Sequence, residues 1–443
     1  MNEVLKNPQK EDELSNTVGE WVIYEQGGDH APLVESLGNK TRWSVEDPSK
    51  AKYQLKIGDI IVYYTGPKRI PRALIRMESN HIADVIGVAE DQNLDPYIED
   101  IVSRKLKEFG EEGESYKTKV SDMKRVTGIC DRVNKGGDLD SEDLRFLYEI
   151  DRTIQGFEYS RDPRINTLLE GRDIKKDLSL ATGYSQDEIS ITKEEALSGN
   201  IKFHYGDLDL NDLNDLSLAE GLELPEKVGG SLSLNGLSRA EGLKLPEKVG
   251  GSLSLNGLSR AEGLKLPKEV GRNLYLNGLS TGEGLELSAE IGGGLYLNGL
   301  STAKYLKLPE IVNGHLYLNG LSTAKELKLP KKVNGSLVLN GLLSVENLEL
   351  PEIVNGNLYL SGLSRADGLN LPKIVGSLIL KRLQSAKGLK FPEVVNGDLD
   401  LSGLSTTEGL ILSRIVLGYI DLKSLPPEEK QQLKLKYPDH IIE

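Results

Sequence analysis

The chain of 443 residues has a single cysteine, Cys130, so no disulfide can form within it, which fits a reducing compartment. No run of about 18 apolar residues occurs, which excludes a membrane-spanning helix. Lysine and arginine number 54 against 68 aspartates and glutamates, a net charge of −14. That deficit of positive charge argues against a nucleic-acid partner. There is no P-loop, no HExxH and no CxxC, and the five histidines (His30, His81, His204, His315 and His440) show no metal-ligand spacing, so no metal or other cofactor is expected. The opening segment MNEVLKNPQKEDELSN lacks the apolar stretch of a signal peptide and reads as a flexible arm, 1–19. Together these absences predict a cytoplasmic protein. Phenylalanine (five) and tryptophan (two) are scarce, and the aromatic content is carried by 17 tyrosines.

What the chain has in abundance is repetition. Units begin at Gly221, Gly242, Gly263, Gly284, Tyr305, Glu326, Asn347, Gly368, Gly388 and Gly409, 21 residues apart except for the 20-residue unit at Gly368. A fixed short period is the signature of a solenoid. Within each unit apolar residues recur at positions 2, 4, 8, 12, 14 and 17, as in Leu222, Leu224, Val228, Leu232, Leu234 and Leu237. The pairs 2/4 and 12/14 alternate with period 2, which predicts two short strands, the first ended by the proline usual at position 5. Glycines at positions 9, 10 and 16 are expected at corners with positive φ. One such turn cannot bury its own leucines, so neighbouring turns must stack, and no stretch of the unit suits a helix.

The unit resembles the leucine-rich repeat group, in particular bacterial arrays reading LPxxVxGxLxLxGL, over residues 199–425. It departs from the usual LxxLxLxxNxL spacing, since the turn Asn directly follows Leu234. The expectation is therefore a compact, nearly all-β coil in place of a horseshoe with one helix per repeat.

Stacking turns each position into a column. Position 15 reads Asn235, Asn256, Asn277, Asn298, Asn319 and Asn340, which predicts amides bonded from turn to turn. Position 13 lies between inward leucines and so faces outward. It reads Ser233, Ser254, Tyr275, Tyr296, Tyr317, Val338, Tyr359, Ile379, Asp400 and Asp421. Tyr275, Tyr296, Tyr317, Tyr359 and Ile379 thus form an exposed stripe. Its plainer reading is an aromatic stack that stabilises the sheet, and its functional reading is a strip for a protein partner. Position 3 alternates lysine and glutamate, as a solvated face does. The short unit lacks a corner residue at Val375-Gly376-Ser377 and carries Lys381-Arg382 where Asn-Gly is usual.

Residues before 199 show no repeat. Runs at 59–65, 72–77 and 82–89 predict a β-meander, followed by helical patterns at 96–109, 116–133, from Ser141, and near 164–180. Phrases such as WSVEDPSKA and SDMKRVTGI resemble segments of bacterial proteins to which no activity is attached. Arg72 and Arg76, evenly spaced on one strand, would share a face and could hold an anion with His81 nearby and the acidic-amide run from Asp91 to Asp95 beyond it. The commoner outcome for such residues is a polar solvent face. The run Asp131–Glu142 fills only part of an EF-hand pattern, with Val133 and Lys135 at ligand positions.

The sequence therefore predicts an α+β N-terminal domain (20–134), a helical connector (135–198), a mostly-β leucine-rich solenoid of about ten 21-residue rungs (199–425) and a capping helix and tail (426–443). The function expected is that of a non-catalytic, monomeric interaction protein. The alternative is an enzyme or small-molecule or anion-binding module in the N-terminal domain, with the solenoid as a targeting arm or spacer.

Overall fold

A computed structural model describes residues 17–37, 47–78, 81–87, 93–157, 161–212, 221–438 and 440–442. Residues 1–16 of the arm expected at 1–19, Asp91 and Gln92 of the acidic-amide run, and the segment 213–220 before Gly221 lie outside these residues. The chain divides into two compact units, 1–121 and 122–443.

The first unit is a four-stranded antiparallel sheet in the order β1 (Gly19–Tyr24), β2 (Ile60–Thr65), β3 (Ile70–Glu78) and β4 (His81–Gly87). β2 to β4 are the expected meander. β1 was not foreseen, although its sequence GEWVIY is rich in β-formers. Alternate residues of the central strand β2 face opposite ways. Ile60, Val62 and Tyr64 pack with helices α1 (Ala31–Leu37) and α2 (Pro48–Ile57), while Ile61 and Tyr63 pack with α3 (Glu99–Glu108). Both faces are therefore covered, which is why β2 is buried along its whole length.

Helix α4 (Glu111–Asn134) crosses from the first unit into the second. The second unit then runs through α5 (Ser141–Leu147), α6 (Pro163–Leu169), α7 (Ile174–Thr182) and α8 (Lys193–Ala196) into a parallel β-solenoid of about eleven turns. Asp140, Asp162, Asp173 and Thr192 cap these helices with their side-chain oxygens. Phe203–His204 and Leu208–Asp209 form the first turn, and helix α9 (Pro427–Lys436) closes the array with Leu433 in the leucine core.

The solenoid is nearly all β, but its strands are placed differently from the sequence expectation. They are two residues long and occupy positions 7–8 and 12–13, as in Lys227–Val228 and Leu232–Ser233. The 2/4 alternation is not a strand. There the chain turns, and Pro225, Pro246 and Pro267 at position 5 are buried in the corner before the first strand. Position 20 also points inward, with Ala240, Ala261 and Ala324 at most 1% exposed. Small side chains hide from a pattern search for leucine. The positive-φ residue of each turn is at position 1, including Tyr305 (φ 66°), Glu326 (63°) and Asn347 (61°), and not at 9, 10 or 16. Glycine at position 16 answers a close approach instead: a Cβ on Gly257 would lie 2.2 Å from the Asn235 carbonyl oxygen of the turn before.

The strands at positions 12–13, joined by Leu208–Asp209 at one end and by Ile441–Ile442 from beyond the capping helix at the other, form one continuous twelve-stranded sheet. The strands at positions 7–8 form a second face in three pieces of six, three and three, broken between Glu290–Ile291 and Ile311–Val312 and again between Ile353–Val354 and Ile374–Val375. The second break falls at the turn that is one residue short.

Candidate functional site

The continuous sheet carries three columns of side chains. At position 15 the asparagines bond as a ladder: Asn277, Asn298 and Asn319 each donate a side-chain amide N–H to the Oδ1 of the preceding asparagine at 2.9, 2.9 and 3.0 Å. The same oxygens accept the next backbone N–H, from Asn256 to Ser361. Each amide thus satisfies polar groups of two turns, as the sequence led one to expect.

Position 11 forms a second ladder that the sequence reading missed. The Oγ of Ser231 and Ser252, the Oδ1 of Asn273, the Nδ1 of His315 and the Oγ of Ser336 each accept the backbone N–H of the next turn at the same position. The column mixes Ser, Asn, His and Asp, so its identity varies. What the accepting residues share is a short side chain with a lone pair.

Between these ladders lies the stripe. The rings of Tyr275 and Tyr296 are 4.4 Å apart, and those of Tyr296 and Tyr317 are 4.6 Å apart and nearly parallel at 14°. Val338 continues the row and is 4% exposed, while Tyr359 and Ile379 are half-buried. Asn273 donates to the Tyr275 hydroxyl at 3.1 Å and Asn357 to the Tyr359 hydroxyl at 3.0 Å. The parallel register, Tyr275 beside Tyr296 and Tyr296 beside Tyr317, sets this spacing. Burial, with the neighbouring phenols of Tyr275 and Tyr317 next, pushes the Tyr296 hydroxyl up to about 12. These rings therefore use their faces on one another and offer edges and neutral hydroxyls outward. Such a surface suits hydrogen bonding and apolar contact, not proton transfer near neutral pH.

Arg72, Arg76 and His81 are each engaged within the first unit. Arg72 is the extra residue of a β-bulge, since Tyr63 faces Ala73 and Tyr64 faces Pro71. Its fully buried guanidinium donates to both oxygens of Asp95, at 2.9 to 3.1 Å, and to Thr65. Arg76 instead reaches Gln54 of α2 at 3.2 Å and Glu78 at 3.1 Å. The bulge breaks the even spacing, so the two arginines serve different partners and form no joint anion clamp. His81 pairs with Glu112 at 3.1 Å. Burial alone would push the Glu112 carboxyl up, but hydrogen bonds from His81 and the Ile82 N–H hold it below its ordinary value.

One further titratable group is buried at the head of the solenoid. His204 is 2% exposed, with Nδ1 2.9 Å from the Ser190 hydroxyl and Nε2 3.3 Å from the Asp207 carbonyl oxygen. This arrangement fits a neutral ring that accepts at Nδ1 and donates at Nε2. Burial lowers its pKa, against smaller opposing effects of Asp207 and Glu195. A His with a depressed folded-state pKa binds fewer protons folded than unfolded, so stability is lost as pH falls through the unfolded value of about 6.5. Calorimetry between pH 8 and 5 should show the melting temperature of the wild type falling more steeply below about pH 6.5 than that of His204→Gln. Parallel curves would show that the ring carries no such linkage.

The second face of the solenoid holds a groove of about 770 Å³ in the 122–443 unit. Its lining includes Tyr148, Arg152, Arg161, Lys248, Arg272 and Ile311. Its charges are largely cancelled internally: Arg152 pairs with Asp122, Arg161 with Glu149 and Lys248 with Glu269. Among the described residues no group of three or more His, Cys, Asp or Glu is placed to hold a metal ion, and no helix is long and apolar enough to cross a membrane. No protein-family model matches the chain, and neither a curated protein nor a solved structure shows significant similarity to it.

Proposed function

We propose that the protein is a non-catalytic binding module whose solenoid presents the Tyr275–Ile379 stripe to a protein partner. The observation that carries this reading is the confinement of the stripe. The outward column is serine at 233 and 254, turns aromatic and aliphatic from Tyr275 to Ile379, and becomes aspartate at 400 and 421. A column needed only to hold the sheet together has no reason to change character at both ends, since the flanking turns are paired in the same sheet. Six turns at the usual strand spacing give a strip of roughly 24 Å, the scale of a modest protein interface. The stripe is also preorganised: ring stacking and the flanking ladders have already fixed the side chains, so little ordering entropy is left to lose on binding. Tyrosine suits this role because its edge is apolar and its hydroxyl polar.

The test is quantitative affinity capture with the full chain from cells that make it, alongside a variant with serine at 275, 296, 317 and 359. The expected result is that at least one protein held by the wild type falls at least about tenfold with the variant, as hot-spot loss implies. An unchanged capture profile would leave the stripe a purely stabilising stack. The competing reading places ligand binding at Arg72, Arg76 and His81. It requires Arg72 to exchange a buried carboxylate for a ligand.

A further inference from the structure

We propose that the junction between the turns beginning at Gly284 and Tyr305 is a hinge, about which the two parts of the solenoid bend while the continuous sheet stays intact. Three independent observations meet at this one turn. The first is in the main chain. On the second face, each turn normally donates backbone N–H groups at positions 6 or 7, 9 and 10 to the turn before. Glu290, Gly292 and Gly293 do so to Lys268, Val270 and Arg272, and Lys331, Asn334 and Gly335 do so to Glu310, Val312 and Gly314. No such bond joins Glu310, Asn313 or Gly314 to the turn below. Only the side chain of Asn313 crosses, donating to the Ile291 carbonyl oxygen at 3.0 Å. The broken junction at the short turn, by contrast, still keeps the bond from Gly376 to Gly356.

The second observation is in the side chains. The position-11 ladder is interrupted at Gly294, which has no side chain to accept with, so the His315 N–H has no side-chain acceptor below it. In place of a side chain, the main chain of His315 comes in close: a Cβ on Gly294 would be 2.8 Å from the His315 carbonyl oxygen. With no side chain at this point, position 11 ties the next turn to the one below by nothing beyond the backbone ladder of the continuous sheet. The third observation is the packing of the second face. Position 5 is Ser288 and exposed, where eight of the ten turns have proline. Position 8 is Ile291 and only partly buried, whereas Val249, Val270, Val333 and Val354 at this position are fully buried.

The hinge axis lies along the strands that remain paired. Leu295 still donates to His315 and Leu297 to Tyr317 at 2.8 and 2.9 Å, and Tyr296 stacks on Tyr317. Bending therefore preserves the stripe and acts on the groove, whose lining includes Glu290, Ile291, Ile311 and Asn313 on the two sides of the junction. The inference is independent of what the stripe binds.

Hydrogen exchange on the full chain tests it. Peptides carrying the amides of Glu310, Asn313 and Gly314 should exchange at least about tenfold faster than those carrying Lys331, Asn334 and Gly335, one turn further on. A second measurement separates motion from a static irregularity. With Cys130 replaced by serine, spin labels at positions 265 and 328 span three turns across the junction, and labels at 223 and 286 span three turns before it. The distance distribution should be broader for the first pair, and should narrow in Ser288→Pro. Equal exchange of the two sets of amides, or equally narrow distributions for the two label pairs, would overturn the hinge.

Discussion

Replacing Arg72 by methionine should destabilise the 1–121 unit by about 3–5 kcal/mol, the usual cost of leaving one partner of a buried ion pair without its counterpart. Arg72 is 0% exposed and Asp95 13%, and the guanidinium holds both carboxylate oxygens, so little water is at hand to take over. Removing both charges together, in Arg72→Met/Asp95→Leu, should recover most of the loss, because the penalty belongs to the stranded charge and not to the pair. Both tryptophans of the sequence fall within residues 1–121, and Trp21 packs on Tyr63 of β2 with ring centres 4.9 Å apart, so denaturant unfolding followed by tryptophan fluorescence reports this unit in the full chain. A loss under about 1 kcal/mol would mean that Arg72 is not committed to the fold, and would restore it as a candidate ligand-binding residue.

The second large effect belongs to the solenoid core. Leu339→Ala should cost about 3–5 kcal/mol, the upper part of the range for buried leucines. Leu339 is fully buried between Leu318 and Leu360, which are also fully buried. Its neighbours cannot move in to fill the gap, because backbone bonds from Leu318 to Val338 and from Leu339 to Tyr359, both 2.9 Å, fix the turns at ladder spacing. In a stacked array each turn contacts only its neighbours, so a weakened turn also uncouples the turns on either side. Urea unfolding followed by far-UV circular dichroism should show a lower midpoint and, if the two sides separate, a broader transition. By contrast Lys307→Ala, at an exposed position of a neighbouring turn, should change stability by less than about 0.5 kcal/mol.

The architecture was legible because repetition multiplies weak signals. One unit of alternating leucines says little, but ten copies in register require a stack, and the asparagine column is then legible as a ladder from sequence alone. What was misread is local. With strands only two residues long, period-2 alternation at Leu222 and Leu224 looks the same as the alternation at Leu232 and Leu234, yet only the second begins in a strand, Leu232–Ser233. Glycine at position 16 suggested positive φ, whereas the constraint there is contact with the adjacent turn, and contact between turns is invisible in a single unit. The left-handed residue at position 1 was hidden because Tyr305, Glu326 and Asn347 fill it as well as glycine. The position-11 ladder escaped because four residue types share one function. In the first unit, a bulge of one residue was enough to separate Arg72 from Arg76, and nothing in the run IPRALIRME announces it. The same limit applies to the stripe: its tyrosines could be placed in a row, but the stacking that turns their edges outward follows from the register of the sheet.

Hydroxyl-radical footprinting of the full chain, alone and in complex with the captured partner, tests the central claim most directly. The account predicts that modification of Tyr275, Tyr296, Tyr317 and Tyr359 falls several-fold on complex formation, while the exposed Tyr53 and Tyr97 of the first unit keep their rates. Unchanged modification of the four stripe tyrosines, with protection appearing elsewhere on the chain, would contradict it.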